Sequence, residues 1–381
     1  MTARNTLGVI AGIALLGLGA TACSSGESTA SGGTASPSAS AKTTDCPQPA
    51  SKQTGGAPAA SVPMVETVKP TDTSTSTVIT PDGPQITCGK TELALKQDIT
   101  YSSPTVDGKK HDLKLDLQVP KTGGKKPLVI YLTGGGFVMA DKSSNLGERT
   151  YVAEQGYAVA SIEYRTTTTG STYQDGVADV KSAVRYLRAH ADEYGIDASK
   201  VALWGQSAGA YLASIAGASN GTDQFVSGND LDQSSDVQAV VDEFGPSDLA
   251  RGADDFDTKT KAAYLAPGSI LNAYVFGPKS AKTVTTDSAA NKAADPATYL
   301  SSSSAPFILL QGDNDHVVSP SQSLILLNAL KAKGVEATRY VVKGANHGDM
   351  SFLGDTEAGL PWSTQKVMGT ITGFLNEKLG S

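Results

Sequence analysis

Two stretches alternate apolar and polar residues at period two, Lys96 to Ser102 and Asp112 to Val119. Each predicts a strand with one face in water, and together they predict an antiparallel pair. Farther along, Pro127 to Leu132 (PLVIYL) and Ala158 to Ile162 (AVASI) are apolar without interruption, the signature of strands covered on both faces. Lys200 to Trp204 (KVALW), Val237 to Phe244, Pro306 to Leu310 (PFILL) and Ala337 to Val342 read as further strands. Between them lie helical patterns. In Asp175 to Ala191, Val177, Val180, Val184, Leu187 and Ala191 recur at three- and four-residue spacings. Asn145 to Gln155, Ala208 to Ala218, Ser319 to Lys333 and Thr364 to Leu379 complete the set. Strands and helices in alternation predict an α/β fold, a mostly parallel central sheet with helices on both faces. The alternation stops between Asp248 and Tyr299, a polar insert carrying Tyr264, Leu265, Leu271, Tyr274 and Phe276. An insert of that length is expected to be a small cap or pocket wall, or else a solvated loop.

Composition changes the picture upstream of the sheet. Arg4 precedes an apolar stretch, Leu7 to Ala20, too short for a permanent span but suited to the core of a signal peptide over residues 1–22. Ala20-Thr21-Ala22 offers a cleavage site, and the following Cys23 resembles the lipidated cysteine of bacterial lipoproteins. Simple secretion after the same cut is the alternative. Cys23, Cys46 and Cys88 are odd in number, and lipidation of Cys23 would leave Cys46 and Cys88 as a candidate disulfide in an oxidising compartment. Residues 23–80, rich in Ser, Thr, Ala, Gly and Pro, are expected to be a disordered tether, with the folded domain spanning 90–381. The protein is thus expected outside the cytoplasm, lipid-anchored on the outer face of the membrane or secreted, touching membrane only through that anchor. A net charge of −7 with scattered Lys and Arg excludes the basic stripe that nucleic-acid binding requires.

One pentapeptide carries most of the chemistry. Gly205-Gln206-Ser207-Ala208-Gly209 follows the strand KVALW and opens a helix, the setting in which G-x-S-x-G forms a nucleophile elbow. A serine hydroxyl needs a base to remove its proton and an acid to orient that base. His111 and His190 precede Ser207, against the chain order of such sites, whereas His347 sits in the loop before the last helix. His316 is the rival, read as a polar loop residue because it directly follows Asp315. Asp315, in the loop after PFILL, is the favoured acid, and Asp313 the alternative, read as a turn residue. Thr133-Gly134-Gly135-Gly136-Phe137 directly after PLVIYL supplies bare amides, so the N–H groups of Gly135, Gly136 and Ala208 form the candidate oxyanion hole. The chemistry calls for no cofactor, and the histidines and aspartates show no metal-ligand spacing.

With these residues in place the chain resembles the α/β-hydrolase superfamily. The likeness is to esterases with an HGGG-type oxyanion loop related to hormone-sensitive lipase and to bacterial acetyl and feruloyl carbohydrate esterases. It runs from about Asp112 to Leu379 and includes Leu115-Asp116-Leu117-Gln118-Val119-Pro120, Glu163-Tyr164-Arg165, Phe244-Gly245-Pro246-Ser247-Asp248-Leu249 and Asp295-Pro296-Ala297-Thr298-Tyr299. The resemblance implies a serine carboxylesterase acting on short-chain acyl esters, small or polysaccharide-linked. A prolyl-oligopeptidase-like peptidase and a catalytically silent hydrolase-fold binding protein at the cell surface are the alternatives. Two positions depart from the pattern. Thr133 stands where the family has a histidine, which leaves open what holds the glycine loop, and Gln311 replaces the histidine before Gly312, a change expected to touch packing only.

Overall fold

The computed structural model describes residues 44–48, 65–348 and 357–380, so the signal segment and Cys23 lie outside the described residues. In chain order the strands are β1 (Thr44–Asp45), β2 (Thr77–Ile79), β3 (Thr87–Cys88), β4 (Leu93–Ser102), β5 (Thr105–Val106), β6 (Lys109–Lys110), β7 (Leu113–Pro120), β8 (Lys126–Leu132), β9 (Ala158–Ile162), β10 (Ile196–Gln206), β11 (Ala239–Glu243), β12 (Phe307–Gly312) and β13 (Ala337–Val342). The α-helices are α1 (Leu146–Glu154), α2 (Tyr173–Ala189), α3 (Ala191–Tyr194), α4 (Ala208–Ala218), α5 (Thr258–Leu265), α6 (Ile270–Phe276), α7 (Ser288–Ala294), α8 (Ser321–Ala332) and α9 (Gln365–Leu379).

Among the described residues, nine strands form one sheet in the order β2-β13-β12-β11-β10-β8-β9-β7-β4. Pairing is parallel from β2 through β9, and β7 and β4 add antiparallel to the β9 edge. The uninterrupted apolar runs are the central strands, as their composition predicts. On one face Leu128, Ile130 and Leu132 of β8 share a core with Val177, Val180 and Val184 of α2 and Leu212 and Ile215 of α4. On the other, Val129 and Tyr131 belong to a core with Val152 of α1 and Val367, Ile371 and Leu375 of α9. Burying each such side chain stabilises the fold by about 1.5–3 kcal/mol.

The structure departs from the sequence expectations at two places. Residues 65–80, assigned by composition to the tether, pack on the folded unit, and Thr77–Ile79 pairs with β13 as an edge strand of the main sheet. The physical reason is Arg339, fully buried, whose guanidinium needs acceptors and finds the Asp72 carbonyl at 3.2 Å and Ser76 Oγ at 2.9 Å. Second, β10 starts earlier than KVALW because Ile196 and Asp197 pair with Lys126 and Pro127 before a register shift. The insert 248–299, expected as a small cap or pocket wall or else a solvated loop, folds into short helices packed on the body of the domain, with Tyr264 donating its hydroxyl to the Val317 carbonyl and Tyr274 wholly buried. Cys46 and Cys88 are joined in a disulfide beside the β1–β3 pair, with Cα atoms 4.7 Å apart.

Candidate active site

The site is assembled at the carboxyl ends of β8, β10, β11 and β12. β10 ends at Gln206 and α4 begins at Ala208, leaving Ser207 alone in the turn at φ 52°, ψ −118°. That is a strained conformation for a residue with a side chain, and the surrounding bonds hold it: Ser207 N–H donates to the Glu243 carbonyl at 2.9 Å, and the Tyr211 N–H donates back to the Ser207 carbonyl at 3.0 Å. Gly209 is dictated by close approach, since a Cβ there would overlap the carbonyl oxygen of Leu132, where β8 ends.

His347 and Asp315 meet Ser207 from the loops after β13 and β12. His347 Nε2 lies 2.8 Å from Ser207 Oγ, and His347 Nδ1 lies 2.8 Å from Asp315 Oδ2. The imidazole is steadied by the Phe244 ring, edge-on at 4.7 Å, and the main-chain N–H of His347 donates to Asn346 Oδ1. Asp315 is fully buried and accepts four N–H bonds: His347 Nδ1 and Gln311 Nε2 on Oδ2, and the Val317 and Val318 amides on Oδ1. Asp313 instead accepts the Gly344 N–H at 2.6 Å, fixing the turn after β13. His316 turns its Nδ1 to the Val65 carbonyl and its Nε2 to Asn314 Oδ1. So of the alternatives weighed in sequence, the structure brings Asp315 and His347 to Ser207. The expectation that Gln311 touches packing only is corrected: its Nε2 donates at 2.8 Å to the carboxylate oxygen that holds the imidazole.

The glycine loop closes the other side. A Cβ on Gly134 would lie 3.2 Å from the Cβ of Ser207, which places the loop directly against the elbow. Gly135, at φ 151°, has no room for a side chain because one would overlap the Met139 carbonyl oxygen. Among the described residues, the N–H groups of Gly135, Gly136 and Ala208 donate to no protein acceptor, so each remains available to a ligand oxygen. What replaces the absent histidine at Thr133 is also visible. The Tyr164 hydroxyl donates to the Thr133 carbonyl at 2.7 Å, the Thr167 N–H and hydroxyl both donate to the Phe137 carbonyl, and the Phe137 ring stacks on Tyr274 at 4.5 Å.

Behind the elbow lie two buried carboxyls. Burial pushes Glu243 up to about 7, against hydrogen bonds from Gln206 and Trp204, and Asp242 up to about 6, against Ser214 and the Gly245 amide. Sequence reasoning missed Tyr164, Gln311, Gln206 and Glu243 as parts of the site. Signals for two of them were present, the Glu163-Tyr164-Arg165 motif and an acidic pair closing an otherwise apolar strand, AVVDE.

Known proteins share this architecture. A "Probable isoprenylcysteine alpha-carbonyl methylesterase" of Arabidopsis thaliana is 26% identical over 271 residues, covering 70% of this chain and 55% of that protein. An "Esterase" of Mycobacterium tuberculosis is 26% identical over 226 residues, 58% of this chain and 53% of its own length. The chain therefore spans about half the length of the curated relatives it matches. Among solved structures, a "Truncated form of carbohydrate esterase from gut microbiota" superposes with a TM-score of 0.64 at 24% identity, covering 79% of this chain and all of that one. That likeness is one of fold. The BD-FAE profile matches residues 115–330, more than half of the sequence, and this protein is accordingly a member of the BD-FAE family, with an α/β-hydrolase fold.

Proposed function

We propose that this protein is a serine carboxylesterase that hydrolyses short-chain acyl esters, carried on small molecules or on polysaccharide. One observation carries the reading: the unbroken relay from Ser207 Oγ through both ring nitrogens of His347 to the buried Asp315, each step 2.8 Å. In this scheme Ser207 Oγ attacks the ester carbonyl carbon while His347 Nε2 takes its proton. The N–H groups of Gly135, Gly136 and Ala208 receive the developing oxyanion. His347 then returns the proton to the departing alkoxide, leaving an acyl-serine. A water deprotonated by the same nitrogen attacks that acyl group, and the carboxylic acid product leaves with Ser207 restored. Asp315 keeps Nδ1 protonated and stabilises the imidazolium.

Support for a short acyl group comes from the bulk beside the glycine loop, where Phe137 packs on Tyr274 and Tyr211. The methylesterase and carbohydrate-esterase names of the relatives agree with ester chemistry. The Cys46–Cys88 disulfide favours an oxidising compartment, and with it export, by lipidation of Cys23 or by secretion.

The test is a ladder of p-nitrophenyl esters of increasing chain length, run beside acetylated xylan, with fluorophosphonate labelling of wild type and Ser207→Ala. We expect hydrolysis that declines with chain length, and a serine label absent from the variant. A wild-type protein that takes no label and cleaves none of the esters would overturn the proposal.

A further inference from the structure

Gln206, the residue before the nucleophile, and Glu243 are register partners on the parallel strands β10 and β11. Both point to the face covered by α1 and α9, where Trp204 and Tyr131 also lie. Glu243 Oε2 accepts the indole N–H of Trp204 at 2.6 Å and the Gln206 amide at 2.9 Å. The side-chain oxygen Oε1 of Gln206 accepts the Tyr131 hydroxyl at 2.8 Å and Asn145 Nδ2 at 2.6 Å. Asn145 is the residue immediately before α1, at φ 50°. Four segments, β8, β10, β11 and the entry to α1, are therefore tied through two side chains, one of them next to the strained serine.

The connection to Ser207 is double. The side chain of Glu243 holds Gln206, and its main-chain carbonyl accepts the Ser207 N–H. Among the described residues the carboxyl makes no hydrogen bond to the triad, and the Phe244 ring packs against the imidazole. Buried and without an ion-pair partner among the described residues, a carboxylate here is costly, and an apolar side chain would satisfy packing more simply. Its justification is the pair of donors it receives.

We propose that Glu243 is a positioning residue for the nucleophile: through Gln206 and Trp204 on one side and its carbonyl on the other, it fixes the elbow so that Ser207 Oγ meets His347 Nε2. The inference rests on the esterase reading above. It assigns to the carboxyl an acceptor role, not a proton-transfer role, so a neutral acceptor of the same shape serves equally. Misplacing an attacking oxygen by about 1 Å costs about 100-fold.

The experiment compares wild type, Glu243→Gln, Glu243→Leu, Gln206→Leu and the double Leu variant in p-nitrophenyl acetate hydrolysis and in the rate of fluorophosphonate labelling. Near-ultraviolet circular dichroism, which reads the Trp204 environment, confirms folding. We expect Glu243→Leu and Gln206→Leu each to lose about 10- to 100-fold in kcat and in labelling rate with KM little changed. The double variant should lose less than the product of the two single losses, because the two side chains share the Gln206–Glu243 bond. Glu243→Gln should stay close to wild type. If Glu243→Leu does not fold, Gln206→Leu and the Gln rescue carry the same decision. Folded Leu variants with wild-type kcat, a loss confined to KM, or a Glu243→Gln variant as poor as Glu243→Leu would each overturn the inference alone. A wild-type enzyme that neither labels nor hydrolyses would remove the esterase reading and this inference with it.

Discussion

Replacing Asp315 by Asn changes one oxygen to an NH2 group, and the site dictates where that group must go. All four partners of the carboxylate are N–H donors. The Val317 and Val318 amides at Oδ1 are main chain and cannot turn away, so the Asn carbonyl has to remain there. Its NH2 then occupies the Oδ2 position, facing Gln311 and His347. Gln311 can comply: its Oε1 is buried and without a partner among the described residues, so flipping the side-chain amide brings an acceptor to the new donor. His347 can comply only by presenting a bare Nδ1, which moves its proton to Nε2 and leaves no lone pair for the Ser207 hydroxyl. The variant should therefore fold and be nearly dead. A wrong tautomer of this kind costs about 10⁴-fold in kcat in a serine protease, about 5.5 kcal/mol of barrier at 1.36 kcal/mol per tenfold. The assay is kcat and KM on p-nitrophenyl acetate beside a thermal melt. KM should change little, and the melting temperature should fall modestly, because neutral hydrogen bonds replace charge-assisted ones worth about 1.5–3 kcal/mol each. A folded Asp315→Asn variant within tenfold of wild type would refute both the tautomer account and the role given to Asp315.

Other expectations test separate parts of the site. Gly135→Ala forces a Cβ into the Met139 carbonyl, so kcat should fall by about 10²–10³ with the esters still bound, the loss typical of an oxyanion donor; an active variant would remove this loop from the hole. Tyr164→Phe deletes the hydroxyl that holds the Thr133 carbonyl, and kcat should fall about tenfold, the equivalent of one buried hydrogen bond. For pH, Glu243 and Asp242 are raised in the folded state from 4.5 to about 7 and from 3.8 to about 6. A raised acid binds its proton more tightly when folded, so its stabilisation is complete below the unfolded value and is lost as pH climbs through the folded one. The melting temperature should accordingly decline between pH 4.5 and 7, less steeply in Glu243→Gln; equal slopes in the two proteins would contradict the assignment.

How far the sequence could be read depended on whether a residue's role is local. PLVIYL and AVASI identify themselves because a strand covered on both faces has no polar alternation to hide it. The elbow is equally local, a strand, five residues and a helix. Asp315 and His347 follow from chain order and loop position, and the structure brings both to Ser207. Thr77–Ile79 was illegible because three residues in a Ser/Thr-rich stretch show no period, and their partner strand lies more than 250 residues downstream. Gln311 and Glu243 escaped for a related reason. A buried polar side chain is explained by what it touches, and both act on residues from other elements, or from a turn whose course the sequence does not disclose.

The short strand Thr77–Ile79 bears on where the polypeptide can be cut. Composition invites a boundary near residue 80, yet trimming there would peel the outermost ribbon from the sheet and bare the backbone of β13, leaving Arg339 inside without the oxygens of Asp72 and Ser76. An uncovered strand flank of that kind adheres to its counterpart on another molecule. Shortened versions begun at residue 80 should precipitate or form aggregates, and ones begun ahead of Thr44, which keep the Cys46–Cys88 disulfide, should stay dispersed.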